Sequence, residues 1–167
     1  TTNIFNNVTI ATTNNNTISA DNPFGINDSL IINENQSLNL GIHPLTGTLT
    51  STLINGNLYT QNSSSLPLPS GKTWTGTGIV YYNAPSAGQT LVGGTYTNLT
   101  ASSTGGTVAG GTLNVNGILD LPTVNPSATQ GSLSLGTYTL TMGGQATNTG
   151  IGDVTGDILR TSIVSNV

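Results

Sequence analysis

The densest pair of carboxylates in the chain lies in Asp153-Val154-Thr155-Gly156-Asp157. Two such groups with a glycine between them offer oxygens to Ca²⁺, which takes about six to eight oxygen ligands. The competing reading seats both aspartates in turns, where their side chains bond backbone amides. The segment lacks the full ligand ladder of an EF-hand loop or of a calcium-binding nonapeptide repeat. Asp21, Asp28 and Glu34 form a looser cluster, and Asp120 completes the set of six acids. A second chemistry comes from Trp74, followed by Tyr81 and Tyr82. Exposed aromatic faces would stack on a sugar while neighbouring Asn and Thr bond its hydroxyls. Packed inward, the same rings would fill a wide interior or brace a corner. His43, the one histidine, precedes Pro44 and suits a surface turn better than a triad, which needs an acid and a nucleophile oriented on it. Glycoside hydrolysis needs two carboxylates flanking one bond, and a lyase acting on sugar acids would want clustered cations. Lys72 and Arg160 are the only two cations. The expectation is therefore no catalytic site, with a polysaccharide-active enzyme as the third-ranked alternative.

These groups sit in an unusual background. Thr (30), Asn (21), Ser (16) and Gly (22) make up more than half of the 167 residues, while charged residues are 5% and the net charge is −4. An ordinary soluble domain carries roughly 25% charged residues. With a pI near 4.2 the chain has no electrostatic footprint for nucleic acid. It has no apolar run of the ~20 residues that a membrane-spanning helix needs. It has no cysteine, hence neither disulfides nor thiolate chemistry. Strong helix formers are scarce, and the Leu, Ile, Val, Thr and Tyr that remain favour strands.

The elements that must position the candidate groups are short alternating strands. Val8-Thr9-Ile10, Leu38-Asn39-Leu40, Leu49–Ile54, Ile79–Tyr82, Leu113-Asn114-Val115 and Tyr138–Met142 alternate with period two. Gly-rich or Asn-containing punctuation separates them. Gly93-Gly94-Thr95-Tyr96, Gly110-Gly111-Thr112-Leu113 and Gly131-Ser132-Leu133 recur at intervals of about 17–20 residues. A repeat of strands and turns at that period predicts a single all-β domain over 1–167, a parallel β-solenoid of about seven or eight rungs. Leu, Val and Ile would stack inward, and Thr, Ser and Asn would form ladders outside. Pro/Ser-rich residues 62–72 and 122–130 read as protruding loops, since proline cannot donate to a ladder. The alternative is a β-sandwich with strand donation, in which Asn55-Gly56 and Asn116-Gly117 would be hairpin turns.

The run from Gly78 through Asn83, Gln89 and Tyr96 to Thr100 resembles a recurrent unit of large secreted bacterial surface proteins. So does Leu133–Gly144, together with the stretch from there to Arg160. The resemblance is to filamentous-haemagglutinin-like and autotransporter-passenger-like repeats, close over roughly residues 70–165 and loose before that. It implies a right-handed parallel β-helix with a structural or adhesive role outside the cell and no catalytic site. The start at Thr1, without an initiator Met, points to a removed leader or to an excerpt of a longer protein. Six Asn-x-Ser/Thr sequons suit an extracellular setting.

Both ends read as strands that could pair with a second copy, the first of them uncharged. Ile4, Phe5, Val8 and Ile10 carry the first, with Ile4, Val8 and Ile10 as candidate buried side chains. Ile158, Leu159, Ile163 and Val164 carry the second. Edge strands normally bear charge or proline to block such pairing. The expectation is an extracellular, self-associating structural subunit of a filament or fibre, with no required cofactor. A glycan-binding adhesin module is the alternative.

Overall fold

A computed structural model describes residues 2–122 and 132–143, together with the backbone of 153–155 and 157–159. Its strands in chain order are β1 (Asn3–Ile10), β2 (Thr17–Ser19), β3 (Phe24–Ile32), β4 (Ser37–Asn39), β5 (Leu45–Thr46) and β6 (Ser51–Ile54). Next come β7 (Asn57–Thr60), β8 (Lys72–Tyr82), β9 (Gln89–Leu91), β10 (Gly94–Ala101), β11 (Thr107–Ala109) and β12 (Leu113–Val115). The last are β13 (Ile118–Asp120), β14 (Ser132–Ser134), β15 (Leu140–Met142), β16 (Asp153–Thr155) and β17 (Asp157–Leu159). The described residues contain no α-helix.

The strand pairs are parallel, each joining one turn of the chain to the next: β1 to β3, β3 to β6, β7 to β8, β8 to β10, β10 to β12 and β13. This is a β-solenoid of about six turns. There are fewer turns than the expected seven or eight because the later turns are longer than the sequence repeat suggests. Asn7 and Ser29, hydrogen-bonded across an early turn, are 22 residues apart, whereas Thr107 and Ser132 are 25 apart and the register partners Leu113 and Leu140 are 27 apart. The sandwich alternative is excluded by the parallel register. Asn55-Gly56 is a corner rather than a hairpin: both amides donate to the Ile32 carbonyl one turn away, at 2.8 and 3.1 Å. Asn116-Gly117 does the same, donating to Tyr96 and Thr97 at 2.9 and 2.8 Å.

Parallel register turns period-two alternation into columns. Leu38, Leu58, Val80, Leu99 and Leu119 lie one above another and are all buried. Ile10, Ile32 and Ile54 form a second buried column. Threonine hydroxyls brace neighbouring turns from outside: Thr48 donates to Asn27 O at 2.8 Å, Thr50 to Asp28 O at 3.0 Å and Thr104 to Pro85 O at 2.9 Å. The Thr bias thus supplies cross-turn hydrogen bonds without charge.

The segment 62–72 is only partly a protrusion. Leu68 is buried, the Pro67 carbonyl accepts a bond from the Leu45 amide at 3.0 Å, and Lys72 already belongs to β8. Leu66 alone of its leucines faces solvent. Of 122–130, residues 123–130 lie outside the described residues.

Corners make the tightest demands. Gly76 adopts φ 107°, which side chains resist. A Cβ on Gly78 would collide with the carbonyl oxygen of Gly56 in the turn before. Gly78→Ala must push two turns apart at a backbone contact that cannot rotate away. The expected loss is at the upper end of ~1–3 kcal/mol, read as a lowered midpoint in denaturant unfolding. Ala at Gly71, where no atom lies within 4 Å, separates crowding from the strain of its φ of 71°.

Candidate functional site

Two of the three expected sugar-stacking aromatics are in the core. Trp74 is 1% exposed and Tyr82 0%, so neither ring offers a face to a ligand. The reason is register. Trp74 stands in a column with Tyr96 and Val115 and stacks on Tyr96 at 6.3 Å. Tyr82 points inward between Thr60 and Ala101, its partners in the flanking turns, whose small side chains leave room for its ring. The hydroxyls of Tyr82 and Tyr96 meet at 3.1 Å. Tyr96 donates to Val92 O at 2.7 Å, so Tyr82 donates to Tyr96 while accepting from the Val92 amide at 3.4 Å. Burial pushes both phenols above the usual range, and for Tyr96 the Tyr82 hydroxyl adds to the effect.

Gln89 forms a second buried polar node. Its amide nitrogen donates to Thr60 O at 2.9 Å and Asn62 O at 3.0 Å. Its oxygen accepts from the Ala84 amide at 2.8 Å and from the Ser103 hydroxyl. Both donors and both acceptor sites of the side chain are used, tying three turns together.

Tyr81 points outward. On the surface of the same sheet Asn39, Tyr59, Tyr81, Thr100 and Asp120 occupy successive register positions. The Tyr59 and Tyr81 rings stack at 4.5 Å with 14° between their planes. Burial, then Tyr59 and the Asp120 carboxylate, raise the Tyr81 phenol above its ordinary value. Thr100 lies covered below its neighbours. Beyond Tyr81 the surface opens into a cleft of about 450 Å³ lined by Thr77, Ile79, Tyr81, Thr100, Ile118 and Asp120, with Asn98 at its base. The Asn98 amide is committed to the fold: it donates to Thr77 O and Gly78 O, both at 3.1 Å, and accepts from the Ile118 amide at 3.0 Å. Sequence reasoning named Tyr81 but missed Tyr59 and the role of Asp120. The spacing of both from Tyr81 and Thr100, close to one turn, was the available signal.

The calcium candidates Asp153 and Asp157 are strand residues, not turn residues. Asp153 pairs with Ile118 in one sheet, and Asp157 with Ser132 in another. Among the described residues no three His, Cys, Asp or Glu side chains gather into a group suited to a metal. His43 sits in a turn closed by its own amide on Leu40 O at 3.1 Å. No described helix is long and apolar enough to cross a membrane.

The assembly candidates divide. Ile10 is buried and Val8 half-buried, but Ile4 and Phe5 are 61% and 47% exposed, which corrects the inward placement of Ile4. Phe5 packs edge-on against Phe24 at 6.1 Å. Ile158 and Leu159 lie on β17, paired with Leu133 and Ser134, while Ile163 and Val164 fall outside the described residues. Among the described residues β1 and β2 each pair along one edge only, with β3 and β4.

Comparison with protein-family models, with curated proteins and with solved structures gives no match, so the reading of these surfaces rests on their geometry.

The buried nodes lead to two measurements. Unfolded tyrosines release protons near pH 10.0, whereas folded Tyr82 and Tyr96 hold theirs to higher pH. Their contribution is intact below pH ~10 and is lost as pH rises beyond it, by up to ~1.4 kcal/mol per unit for each phenol. Denaturant midpoints between pH 9 and 12 should therefore fall, and Tyr82→Phe or Tyr96→Phe should flatten the slope. Gln89→Ala takes their side-chain partner from the Asn62 carbonyl and the Ala84 amide in the interior, while the Thr60 carbonyl keeps its bond from the Asn83 amide. It should cost about 2–4 kcal/mol in equilibrium unfolding, and Gln89→Glu, which turns a carboxylate toward two carbonyls, should cost more at neutral pH than at low pH.

Proposed function

We propose that this chain is a non-catalytic structural protein of the cell exterior, a stiff solenoid whose copies join end to end. The observation that carries the reading is the state of the N-terminal end. Asp21 is the first charged residue and Pro23 the first proline, so β1 and β2 carry neither of the features that usually guard an open edge. The aliphatic column of Leu38 and Leu58 runs out at Ile18, which is 42% exposed, and Ile4 and Phe5 on β1 are exposed too. Solenoid ends normally carry a polar cap. A second copy laid against this end would continue the columns and pair the free backbone groups of β1 by strand addition.

At the opposite end β15, β16 and β17 each pair along one edge among the described residues. The two ends differ, so their contact is head-to-tail and does not close on itself. The resemblance to secreted bacterial surface repeats, the scarcity of charge and the sequons favour an extracellular setting. The shortage of carboxylates and cations favours a structural over a catalytic role.

The test is sedimentation and negative-stain microscopy of the purified chain over a concentration series. Fibres or concentration-dependent oligomers are expected. Phe5→Lys combined with Asn7→Lys, both at exposed positions, should return the chain to monomers with unchanged circular dichroism. A wild-type chain that stays monomeric at high concentration overturns the reading.

A further inference from the structure

The outer face of the sheet that contains β1, β3, β6, β8 and β10 carries two rows of side chains with a strict period. Asn7, Ser29 and Ser51 follow one another in register, and Thr73 and Thr95 continue that row. Thr9, Ile31, Leu53 and Thr75 form a second row, two residues further along each strand. Every step in both rows is 22 residues, so no insertion disturbs the spacing. Neighbours within a row stand about 4.8 Å apart, and the rows about 6.7 Å apart. The first row offers hydroxyls and one amide, and every member of the second bears methyl groups. Asn7, Thr9, Ser51, Leu53, Thr73 and Thr75 are exposed. Between the rows Leu30, Thr52, Trp74 and Tyr96 are buried and make a rigid backing. Ser29 donates to Asn7 Oδ1 at 2.6 Å and Thr75 donates to Thr52 O, which pins members of both rows. Neither row contains a charged residue. Asp28 and Lys72, at the margin of the first row, are engaged with the Thr50 hydroxyl and Thr48 O, both at 2.6 Å.

We infer that this face binds the surface of ice. The array asks for a ligand that is uncharged, needs no pocket and repeats in two directions at ~4.8 and ~6.7 Å. Hexagonal ice repeats its oxygen positions on the prism face at distances close to both. The hydroxyl row holds waters in place by hydrogen bonds, while the methyl row restricts the water over it without competing for those bonds. Held on a rigid ladder, these waters are spaced for the lattice before ice arrives, so little ordering remains to oppose binding. A second copy is a poorer occupant. The face covers only about 300 Å² at these spacings, against roughly 800 Å² per partner in a stable complex. A crystalline glycan is poorer too, since neither row presents an aromatic ring for a sugar to stack on. The assignment is independent of end-to-end joining, because a single chain carries the whole face.

The experiment is osmometry of the purified full chain on a single ice crystal, with the crystal's growth recorded under the microscope. A gap between the melting and freezing temperatures is expected, with the crystal shaped into facets. Ser51→Lys and Thr73→Lys, both at exposed positions, should each close most of the gap while thermal unfolding matches the parent. Two variants in separate turns keep the test decisive if one of them folds poorly. Ser65→Lys adds the same charge at an exposed position of the 62–72 segment and should leave the gap unchanged. No gap with the parent chain, a gap indifferent to both row variants, or an equal loss with Ser65→Lys would each overturn the assignment. So would side-by-side pairing of chains in solution that Thr73→Lys disrupts, which would give the face to a second copy.

Discussion

A parallel ladder imposes one condition on every position: each residue sits about 4.8 Å from the residues one turn before and after it. Identity along the chain is therefore judged column by column. An ionised side chain repeated in a column would face its like at a separation where two unit charges repel by about 1 kcal/mol even in water, and again at every added turn. Threonine and asparagine escape this, because each carries a donor and an acceptor and can satisfy a neighbour in either direction. Thr48, Thr50 and Thr104 bonding carbonyls in the adjacent turn, and Asn98 bridging the turns on both sides of it, show the condition being met. A chain with 5% charged residues follows from the architecture as much as from any demand of its surroundings.

The same condition explains where large side chains go. A bulky residue is accommodated when its column neighbours are small. Inside, Tyr82 takes the space left by Thr60 and Ala101, and its hydroxyl is satisfied by closing a circuit with Tyr96 and Val92. Outside, Tyr81 stands next to Thr100, which its neighbours cover, and its ring borders an open cleft. Two consecutive tyrosines, pointing to opposite faces of one strand, thus meet opposite outcomes: one becomes core and the other the wall of a cleft.

Much of this was legible from the sequence, and the limits have a physical cause. Alternation in Val8–Ile10, Leu38–Leu40 and Ile79–Tyr82 identified strands and their buried faces, because period two is a property of the single strand. The Gly-Gly repeats identified a solenoid. Register between turns depends instead on loop lengths that vary, as the different spacings of Asn7–Ser29 and Thr107–Ser132 show. The sequence repeat therefore overcounted the turns. It also left the direction of Trp74 open, since the bend at Gly76 and Gly78 divides β8 into two segments facing different partners. In the sequence Gln89 stood out only as part of the run from Gly78 to Thr100. Its true environment, with ligands from residues 60, 62, 84 and 103, is visible only once the turns are stacked.

At an end, the condition that organises the interior becomes a cost. Ile18 belongs to a column whose other members are enclosed, yet among the described residues it has a register partner on one side only. Covering Ile4, Phe5 and Ile18 would gain about 1.5–3 kcal/mol for each side chain fully buried. Immobilising a second molecule costs an estimated 4–15 kcal/mol, so apolar contact alone leaves little surplus. The remainder must come from the unpaired backbone of the eight-residue β1, which can bond only in register. A slip of one residue would turn Val8 and Ile10, which stand over buried Leu30 and Ile32, to the wrong face. Association at this end is therefore selective by construction: a partner that continues the columns gains both terms, and a partner that does not gains neither.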